Sequence, residues 1–283
     1  GDKYTYAEID TSDPHIVSLP DSVVFGVDPI KLITNVTGAT ISIKSGTNGT
    51  EGQEFVSLDA DGKLLTILKP GTVTLKITVT EGTANNAEKT YEQTLKILKR
   101  TISLTGGLKA YGDVYDGEDS VKVNVIADEI KFSGVKEGSK LTITQSGTIE
   151  GTMADANVGT NKAVTFEDNA ITLVDSSAWY DLAPVTFVTT NISKKELTVT
   201  AKAKESNTLT RLYGAENPEF DVTYGTLVGS ETAETAVEGT PKFNCAATKT
   251  SPAGDYPVTP YGLTAKNYEL KFVPCTLTVT ATT

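Results

Sequence analysis

Apolar and polar side chains alternate along most of the chain from Ile16 onwards, and short clusters of Gly, Asp, Asn and Pro interrupt the alternation. A period of two is typical of strands that bury one face, and the interrupting residues are typical of turns. In the first hundred residues the pattern predicts strands at 22–25, 31–33, 40–44, 55–67 (two strands around a tight turn), 72–80 and 91–98. The single helical-looking stretch, 231–237, predicts one short turn of helix. The pattern therefore predicts an all-β protein.

Strand sequences recur along the chain. Ile97–Leu104 is echoed by Ile192–Val199, and a shorter echo appears at Leu277–Thr280. Self-similarity of this kind indicates tandem modules. We predict a leader segment followed by three modules, with boundaries at 1–15, 16–99, 100–195 and 196–283.

The connections between the predicted modules are basic pairs, Lys99-Arg100 and Lys194-Lys195, each of which leads directly into the next strand. No linker rich in Pro, Gly and Ser separates the modules, so we expect semi-rigid modules in an elongated arrangement. The basic pairs are interpreted as solvated hinges between directly connected strands.

The first module contains the sequence VSLDADGKLLTILKPGTVTLKITV, in which an Asp/Gly turn precedes a strand that begins with Gly-Thr. This sequence resembles the bacterial immunoglobulin-like (Big) domain over residues 16–99. The resemblance implies a β-sandwich of seven strands with Greek-key connections.

The second and third modules look like diverged copies of one another. The stretch 111–117 has its counterpart at 212–218, and WYDL at 179–182 has its counterpart in NYEL at 267–270. The ordered motifs resemble the YDG-type repeat in the second module and the MBG-type repeat in the third, which recur in large bacterial surface proteins. The resemblances imply three tandem immunoglobulin-like β-sandwich modules. A β-grasp-like fold with one short helix is the alternative for the last two.

Composition narrows the function classes. The formal net charge of −11 disfavours nucleic acid and anionic lipid as partners, because both are themselves negatively charged. No apolar run approaches the roughly 20 residues that a membrane span requires. The chain begins at Gly1 without a signal peptide, so we interpret it as a mature or recombinant fragment.

The two cysteines, Cys245 and Cys275, both lie in the third module. Two cysteines in one module predict an intradomain disulfide and an oxidising compartment. Cys275 replaces the glycine usual in the MBG-type repeat before the last strand, which favours the pairing. Two buried free thiols are the alternative.

The sequence contains few residues that could form a catalytic site. The only histidine is His15, in the predicted leader, and neither a zinc-protease motif nor a phosphate-binding glycine loop is present. Pairs of carboxylates could serve a glycosidase, but they lie in turns where acidic residues are ordinary. We predict no catalytic residues and no enzyme activity.

Two sets of residues are candidates for binding. Asp113, Asp116, Glu118 and Asp119 form an acidic cluster that could hold Ca²⁺, the only cofactor considered, although turn chemistry explains part of it. Trp179 and Tyr180 could form an aromatic platform for a ligand. A core role for the two aromatic residues is the alternative, because Tyr268 occupies the matching position in the third module.

These observations predict a non-catalytic, extracellular fragment of a bacterial cell-surface protein, a spacer or adhesion-type region that presents a more distal binding region. The rival prediction is a module that binds a glycan or protein directly, through a sheet face or an interdomain groove. We expect a monomer whose partner is a protein or glycan at the cell surface.

Overall fold

The computed structural model describes residues 13–80, 87–205 and 207–281, so residues 1–12 of the predicted leader lie outside the described residues. The chain divides into two compact units. The first comprises Gly1–Gly106, Glu129–Gln145 and Ile171–Pro184, and the second comprises Gly107–Asp128, Ser146–Ala170 and Val185–Thr283. The predicted middle module, 100–195, contributes strands to both units. The module boundaries stay a prediction.

The prediction of an all-β chain is confirmed, since strands dominate the described residues. They are β1 (Ser22–Val24), β2 (Ile30–Lys31), β3 (Thr40–Ser45), β4 (Val56–Leu58), β5 (Leu64–Ile67), β6 (Gly71–Thr80), β7 (Glu88–Leu98), β8 (Arg100–Gly106), β9 (Leu108–Ala110), β10 (Asp113–Val114), β11 (Ser120–Val125), β12 (Lys131–Ser133), β13 (Thr142–Ile143), β14 (Gly147–Thr152), β15 (Gly159–Ala163), β16 (Leu173–Val174), β17 (Tyr180–Leu182), β18 (Thr189–Ser193), β19 (Lys195–Ala203), β20 (Thr210–Leu212), β21 (Phe220–Tyr224), β22 (Glu238–Cys245), β23 (Gly254–Thr264), β24 (Tyr268–Val273) and β25 (Cys275–Thr280).

In the part of the chain that the structure describes, helical structure is limited to short turns. The 3₁₀ turns are Thr47–Gly49, Gly52–Glu54 and Ala127–Glu129, and α1 is Ala233–Ala236. The short helix predicted within 231–237 is therefore confirmed. Since α1 has four residues and buries none of them, it does not cover a sheet as the helix of a β-grasp fold does.

The first unit contains a β-sandwich. Its four-stranded sheet, β1-β7-β6-β3, shares a hydrophobic core with its three-stranded sheet, β2-β5-β4. Val73, Leu75 and Ile77 alternate along β6 and are fully buried, as the period of two predicts. They join Leu65 and Ile67 of β5 in one hydrophobic core. The sheet β12-β8-β17 and the pair β13-β16 complete the unit.

The second unit contains the sheets β14-β11-β9, β10-β18-β15, β21-β19-β24 and β20-β25-β23-β22. Val258 and Leu277, on β23 and β25, are fully buried and form a core cluster with Ala247. Leu197 and Val199, on β19, are buried as well.

One arrangement of strands recurs. A short strand pairs in parallel with the last strand of a predicted module, as β1 does with β7, β10 with β18 and β20 with β25. A single residue then leads from β7 to β8 and from β18 to β19. The new strand pairs in parallel with a strand that begins with tyrosine, β8 with β17 and β19 with β24. We call the place where the end of the short strand, the new strand and the strand that begins with tyrosine meet a joint. The chain contains two such joints, one within each unit.

Among the residues that the structure describes, no helix is both long and apolar enough to cross a membrane.

Candidate functional site

The first joint is a buried aromatic cluster in the first unit. The ring of Phe25, which follows β1, lies 4.9 Å from that of Trp179 and 5.8 Å from that of Tyr180 between centroids. The ring planes of Phe25 and Tyr180 meet at 79°, an edge-to-face packing that stabilises beyond area burial. Phe25 and Tyr180 are 1% and 4% exposed. They belong to the same hydrophobic core as the sandwich, so the core continues through this joint.

Polar contacts orient the tyrosine of the first joint. The hydroxyl of Tyr180 accepts a hydrogen bond from the backbone N–H of Lys136 at 3.2 Å and lies 2.8 Å from the hydroxyl of Ser139. Arg100 donates from Nε to the carbonyl of Gly134 at 2.6 Å and from Nη1 to the carbonyl of Phe25 at 3.3 Å. Arg100 therefore bonds across the joint, whereas the sequence suggested a solvated hinge.

Asp175 holds the turn that leads into β17. Its carboxylate accepts from the backbone N–H groups of Ser177 at 3.0 Å, Trp179 at 2.6 Å and Tyr180 at 3.0 Å, and from the Ser177 hydroxyl. Burial raises the pKa of the Asp175 carboxyl, but these hydrogen bonds outweigh burial and hold the pKa below its usual value of 3.8. The charged form of Asp175 thus positions both joint aromatics.

Replacing Asp175 by asparagine is expected to lower the free energy of unfolding of the first unit by about 2 kcal/mol at pH 7, because one side-chain acceptor is lost. Since the folded pKa lies below the unfolded value, this stabilisation is fully present above about pH 4 and is lost as the pH falls through the folded pKa. Urea unfolding followed by the fluorescence of Trp179 measures the difference between the wild type and the variant. Asp181→Asn is the control, because the Asp181 side chain is 61% exposed. A difference that stayed constant down to pH 2 would contradict the assignment.

The second joint lies in the second unit and is built on a carboxylate shared by two tyrosines. The rings of Tyr115 and Tyr268 are 5.6 Å apart and meet at 80°. The hydroxyl of Tyr115 donates to Oε1 of Glu231 at 2.7 Å, and the hydroxyl of Tyr268 donates to Oε2 of the same residue. The Tyr268 hydroxyl also accepts from the N–H of Val228 at 2.8 Å.

Both tyrosines of the second joint resist ionisation. Burial, together with the hydrogen bond to Glu231, raises the pKa of Tyr268 to about 12. The same causes, burial first, raise the pKa of Tyr115. The two hydroxyls therefore stay protonated and able to donate at physiological pH.

Two asparagine side chains form further hydrogen bonds beside the second joint. The Asn267 side chain donates from Nδ2 to Oδ1 of Asn157 at 3.0 Å and accepts from the N–H of Val158 at 3.1 Å. Asn267 takes the position of Trp179 in the first joint, since the backbone carbonyls of these residues accept from the first residue of β19 and β8 respectively. One joint is thus apolar at this position, whereas the other is hydrogen-bonded.

The structure gives Trp179 and Tyr180 a packing role. Tyr180 is buried, and Trp179 is half-buried with its ring against Phe25. The pair is therefore not an exposed, coplanar platform, and the ligand-platform hypothesis for these two residues is corrected.

The acidic cluster of the middle stretch is engaged in local backbone contacts. Asp113 accepts from the N–H of Val114 at 2.7 Å, and Asp116 accepts from the N–H of Glu118 at 2.9 Å. The backbone carbonyl of Asp119 accepts from Met153. Within 13–80, 87–205 and 207–281, no three His, Cys, Asp or Glu residues are grouped so that they could hold a metal ion. Calcium binding stays a prediction, and thermal melting with calcium and then with chelator tests it.

The predicted disulfide is not supported. Cys245 and Cys275 are free thiols. Both are paired with Val258, from the strands on either side of β23. Two strand spacings put their Cα atoms about 10 Å apart, beyond the roughly 7 Å that a disulfide spans. The thiols pack beside the core cluster of the second unit, and burial raises the pKa of Cys275.

We expect both thiols to react when the unfolded protein is titrated with a thiol reagent in the absence of reductant. Dithiothreitol should leave the thermal midpoint of the native protein unchanged, because no covalent link is lost. A fall in the midpoint on reduction, together with unreactive cysteines before it, would show that the bond forms.

Three residues of the joints are not identified by the sequence pattern. Asp175 carried a local signal, because an acidic residue two positions before a serine often forms an Asx turn. Phe25 is one apolar residue among many in an alternating strand, and its pattern does not reveal its contacts. Glu231 had no signal, since its partner Tyr115 lies 116 positions away in sequence.

The third predicted module can be compared with a known family. Residues 197–278 match the family model of the MBG domain (YGX type). The MBG resemblance of this part of the chain is thereby confirmed, while the Big and YDG resemblances stay predictions. The MBG part contains Glu231 and Tyr268 of the second joint. No curated protein matches the chain.

The solved structures that match this chain are distant from it. The human desmocollin-1 ectodomain is 9% identical with a TM-score of 0.25, over 95% of this chain and 61% of that one. A Bacteroides ovatus glucan-utilisation protein, SGBP-B, solved with a mixed-linkage heptasaccharide, is 14% identical with a TM-score of 0.21, over 95% and 71%. Mouse cadherin-23 EC22-24 is 11% identical with a TM-score of 0.25, over 99% and 100%. This chain thus spans less than two thirds of the desmocollin chain, and likenesses this distant indicate nothing about function.

Proposed function

We propose that this chain is a non-catalytic spacer or adhesion-type region of an extracellular bacterial surface protein and that it presents a distal binding region. The observation that supports the proposal is the repeated joint. In both units an aromatic residue packs edge-on against a buried tyrosine, at 5.8 Å in the first joint and 5.6 Å in the second. A region whose task is to hold other parts in place needs its modules coupled, and the joints provide that coupling.

The connection between strands suits the transmission of load. Only Lys99 separates β7 from β8, and only Lys194 separates β18 from β19. Force along the backbone would therefore pass from strand to strand without first extending a linker. The ladders β6·β7 and β19·β24, with ten and six paired positions, would carry this force in shear.

Single-molecule pulling on the full chain tests the spacer proposal. We expect the joint variants Phe25→Ala and Tyr115→Ala to lower the unfolding force, with Tyr111→Ala, an exposed tyrosine, as the matched control. Equal forces for all variants would show that the joints do not carry load. Protease treatment of intact bacterial cells that express the chain tests its location, and surface display predicts release of its peptides.

A direct glycan-binding role is the second candidate, and a groove on the last sheet favours it. The groove has a volume of about 330 Å³ and is lined by Phe243, Asn244, Thr259 and Tyr261. Tyr261 is 49% exposed. Asn244 and Thr259 face each other across β22 and β23, on exposed positions of these strands. An exposed ring beside an amide and a hydroxyl could bind a sugar ring by stacking and by hydrogen bonds.

A glycan array probed with the full chain separates the two candidates. A pure spacer predicts no binding. A glycan site in the groove predicts binding that Tyr261→Ala abolishes and Tyr111→Ala leaves intact. Binding that is indifferent to Tyr261 would exclude the groove.

A further inference from the structure

Tyr213 occupies the backbone position of the aromatic residue in each joint. It follows β20 as Phe25 follows β1 and as Tyr115 follows β10. In each case the amide of the aromatic residue donates to a carbonyl of the parallel last strand. The distances are 2.8 Å for Phe25 to Leu98, 2.9 Å for Tyr115 to Ser193 and 2.8 Å for Tyr213 to Thr280. The three aromatics are therefore equivalent in the fold.

Among the residues that the structure describes, Tyr213 is exposed, whereas its two equivalents are buried. Phe25 and Tyr115 are 1% and 6% exposed, whereas Tyr213 is 46% exposed. The glycine that directly follows the aromatic residue shows the same contrast between the first joint and Tyr213. A Cβ on Gly26 would lie 3.4 Å from Nη1 of Arg100, while a Cβ on Gly214 would meet nothing within 4 Å.

The loop beside Tyr213 is also equivalent to part of the second joint. Gly254 pairs with Val279 of β25 as Gly159 pairs with Ile192 of β18. Pro252 and Ala253 therefore take the places of Asn157 and Val158, which bond to Asn267 in the second joint. They are exposed residues here.

A buried arginine holds this surface in shape. Arg211 is 7% exposed and donates to the carbonyls of Thr248 at 2.6 Å and Leu212 at 3.2 Å and to the side chain of Asn217 at 2.7 Å. These bonds tie β20, which Tyr213 follows, to the loop that contains Pro252. The surface is thus preorganised, which lowers the cost of docking.

We infer that Tyr213, Gly214, Pro252 and Ala253, the free joint face, dock another β module of the same joint type. Two observed joints in which the equivalent residue is covered by a neighbouring module support this inference. It does not depend on whether the protein is displayed on a cell. The hydroxyl of Tyr213 also specifies the partner. Phe25, which lacks a hydroxyl, belongs to a joint with Ser139, whereas the Tyr115 hydroxyl binds Glu231. Tyr213 therefore calls for a partner with a buried tyrosine and a carboxylate at the positions of Tyr268 and Glu231.

Extending the chain by a second copy of its last module tests the inference. Residues 194–283 are appended directly after Thr280, which reproduces the single-residue spacing between β18 and β19. The appended copy carries Tyr213→Phe, Tyr261→Phe and, at an exposed position beside Tyr268, Lys271→Arg, so that its peptides with residues 213, 261 and 268 differ in mass from the originals. Tyrosine nitration and peptide mapping then compare Tyr213 with Tyr261, an exposed tyrosine outside the face.

We expect nitration of Tyr213 to slow by about tenfold in the extended chain, the factor that corresponds to 1.4 kcal/mol of docking free energy. The nitration of Tyr261 should not change. An unchanged rate at Tyr213 would overturn the inference. A spacer function could still hold in that case, because the first two joints would be unaffected.

A substitution provides the second readout. Tyr213→Ala is expected to leave the thermal midpoint of the original chain unchanged and to lower that of the extended chain by about 4 °C or more. Tyr261→Ala should affect both chains equally. Nitration of the appended Tyr268 reports whether the copy is folded. An unfolded copy is replaced by residues 99–283 with Ser139→Glu, appended at the same point, so that Tyr180 and a carboxylate take the positions of Tyr268 and Glu231. Equal effects of Tyr213→Ala in the original chain and in an extended chain with a folded neighbour would contradict docking.

Discussion

Replacing Tyr268 by alanine is expected to lower the free energy of unfolding of the second unit by about 3–5 kcal/mol. Tyr268 is 1% exposed, so the change leaves a cavity the size of a phenol ring. It also removes the hydroxyl that bonds to Glu231 and Val228, which leaves a carboxylate and a backbone N–H short of a partner. Urea-dependent hydrogen exchange in peptides from β19 to β25 measures the loss.

Two further variants separate packing from polar contacts at Tyr268. Tyr268→Phe keeps the ring and should cost about 1–3 kcal/mol, the range for a lost bond to a charged group and an unsatisfied donor. Tyr261→Ala, at an exposed position, should stay within about 0.5 kcal/mol. A Tyr268→Ala effect as small as that of Tyr261→Ala would show that the second joint is not formed in solution.

Phe25→Ala is expected to lower the free energy of unfolding of the first unit by a similar amount, about 3–5 kcal/mol. The ring of Phe25 packs against those of Trp179 and Tyr180, and the Nζ of Lys136 lies 5.2 Å from its centroid. Trp179 is the only tryptophan of the chain, so its fluorescence reports on this joint alone. Loss of Phe25 should expose the indole and shift its emission to longer wavelength.

The control for Phe25 is Phe25→Tyr, which places at the first joint the residue that the second joint uses. It should cost less than the alanine change, because the ring is kept. An emission maximum that Phe25→Ala left unchanged would mean that Trp179 does not depend on the joint for its burial.

The strands could largely be predicted from sequence, because burial of one face imposes the period of two on each of them. The match of WYDL with NYEL is confirmed by strand register. The match of 111–117 with 212–218 was out of register. Tyr115, and not Tyr111, is the counterpart of Tyr213, because the Tyr-Gly pair at 111–112 precedes β10 whereas the pair at 213–214 follows β20.

The joints could not be predicted in the same way, because they depend on contacts distant in sequence. Phe25 meets Tyr180 and Tyr115 meets Glu231 only once the strands have paired. The basic pairs illustrate the same limit. Lys99 and Arg100 look solvated in the sequence, but the guanidinium of Arg100 lies against two carbonyls of the joint. The disulfide between Cys245 and Cys275 is not supported, because two cysteines in one module need not lie on neighbouring strands.

The two joints show how one geometry tolerates different chemistry. In both joints an aromatic ring packs edge-to-face against a tyrosine. The hydroxyl of that tyrosine accepts a hydrogen bond from a backbone N–H, which belongs to Lys136 in the first joint and to Val228 in the second. Three residues further on, Ser139 or Glu231 completes the hydrogen bonding. A carboxylate is present where the aromatic residue has a hydroxyl to donate. The pairing of Phe with Ser and of Tyr with Glu therefore gives each joint a preferred partner.

A double-mutant cycle between Tyr115→Phe and Glu231→Ala in the full chain tests the coupling of modules most directly. Each change removes one side of the 2.7 Å hydrogen bond, and the cycle isolates their interaction from their separate effects. Hydrogen exchange in the second unit supplies the four free energies of unfolding. Coupling through the joint predicts an interaction free energy of about 1.5 kcal/mol or more, as expected for a buried bond to a carboxylate. Effects that add to within about 0.5 kcal/mol would contradict it.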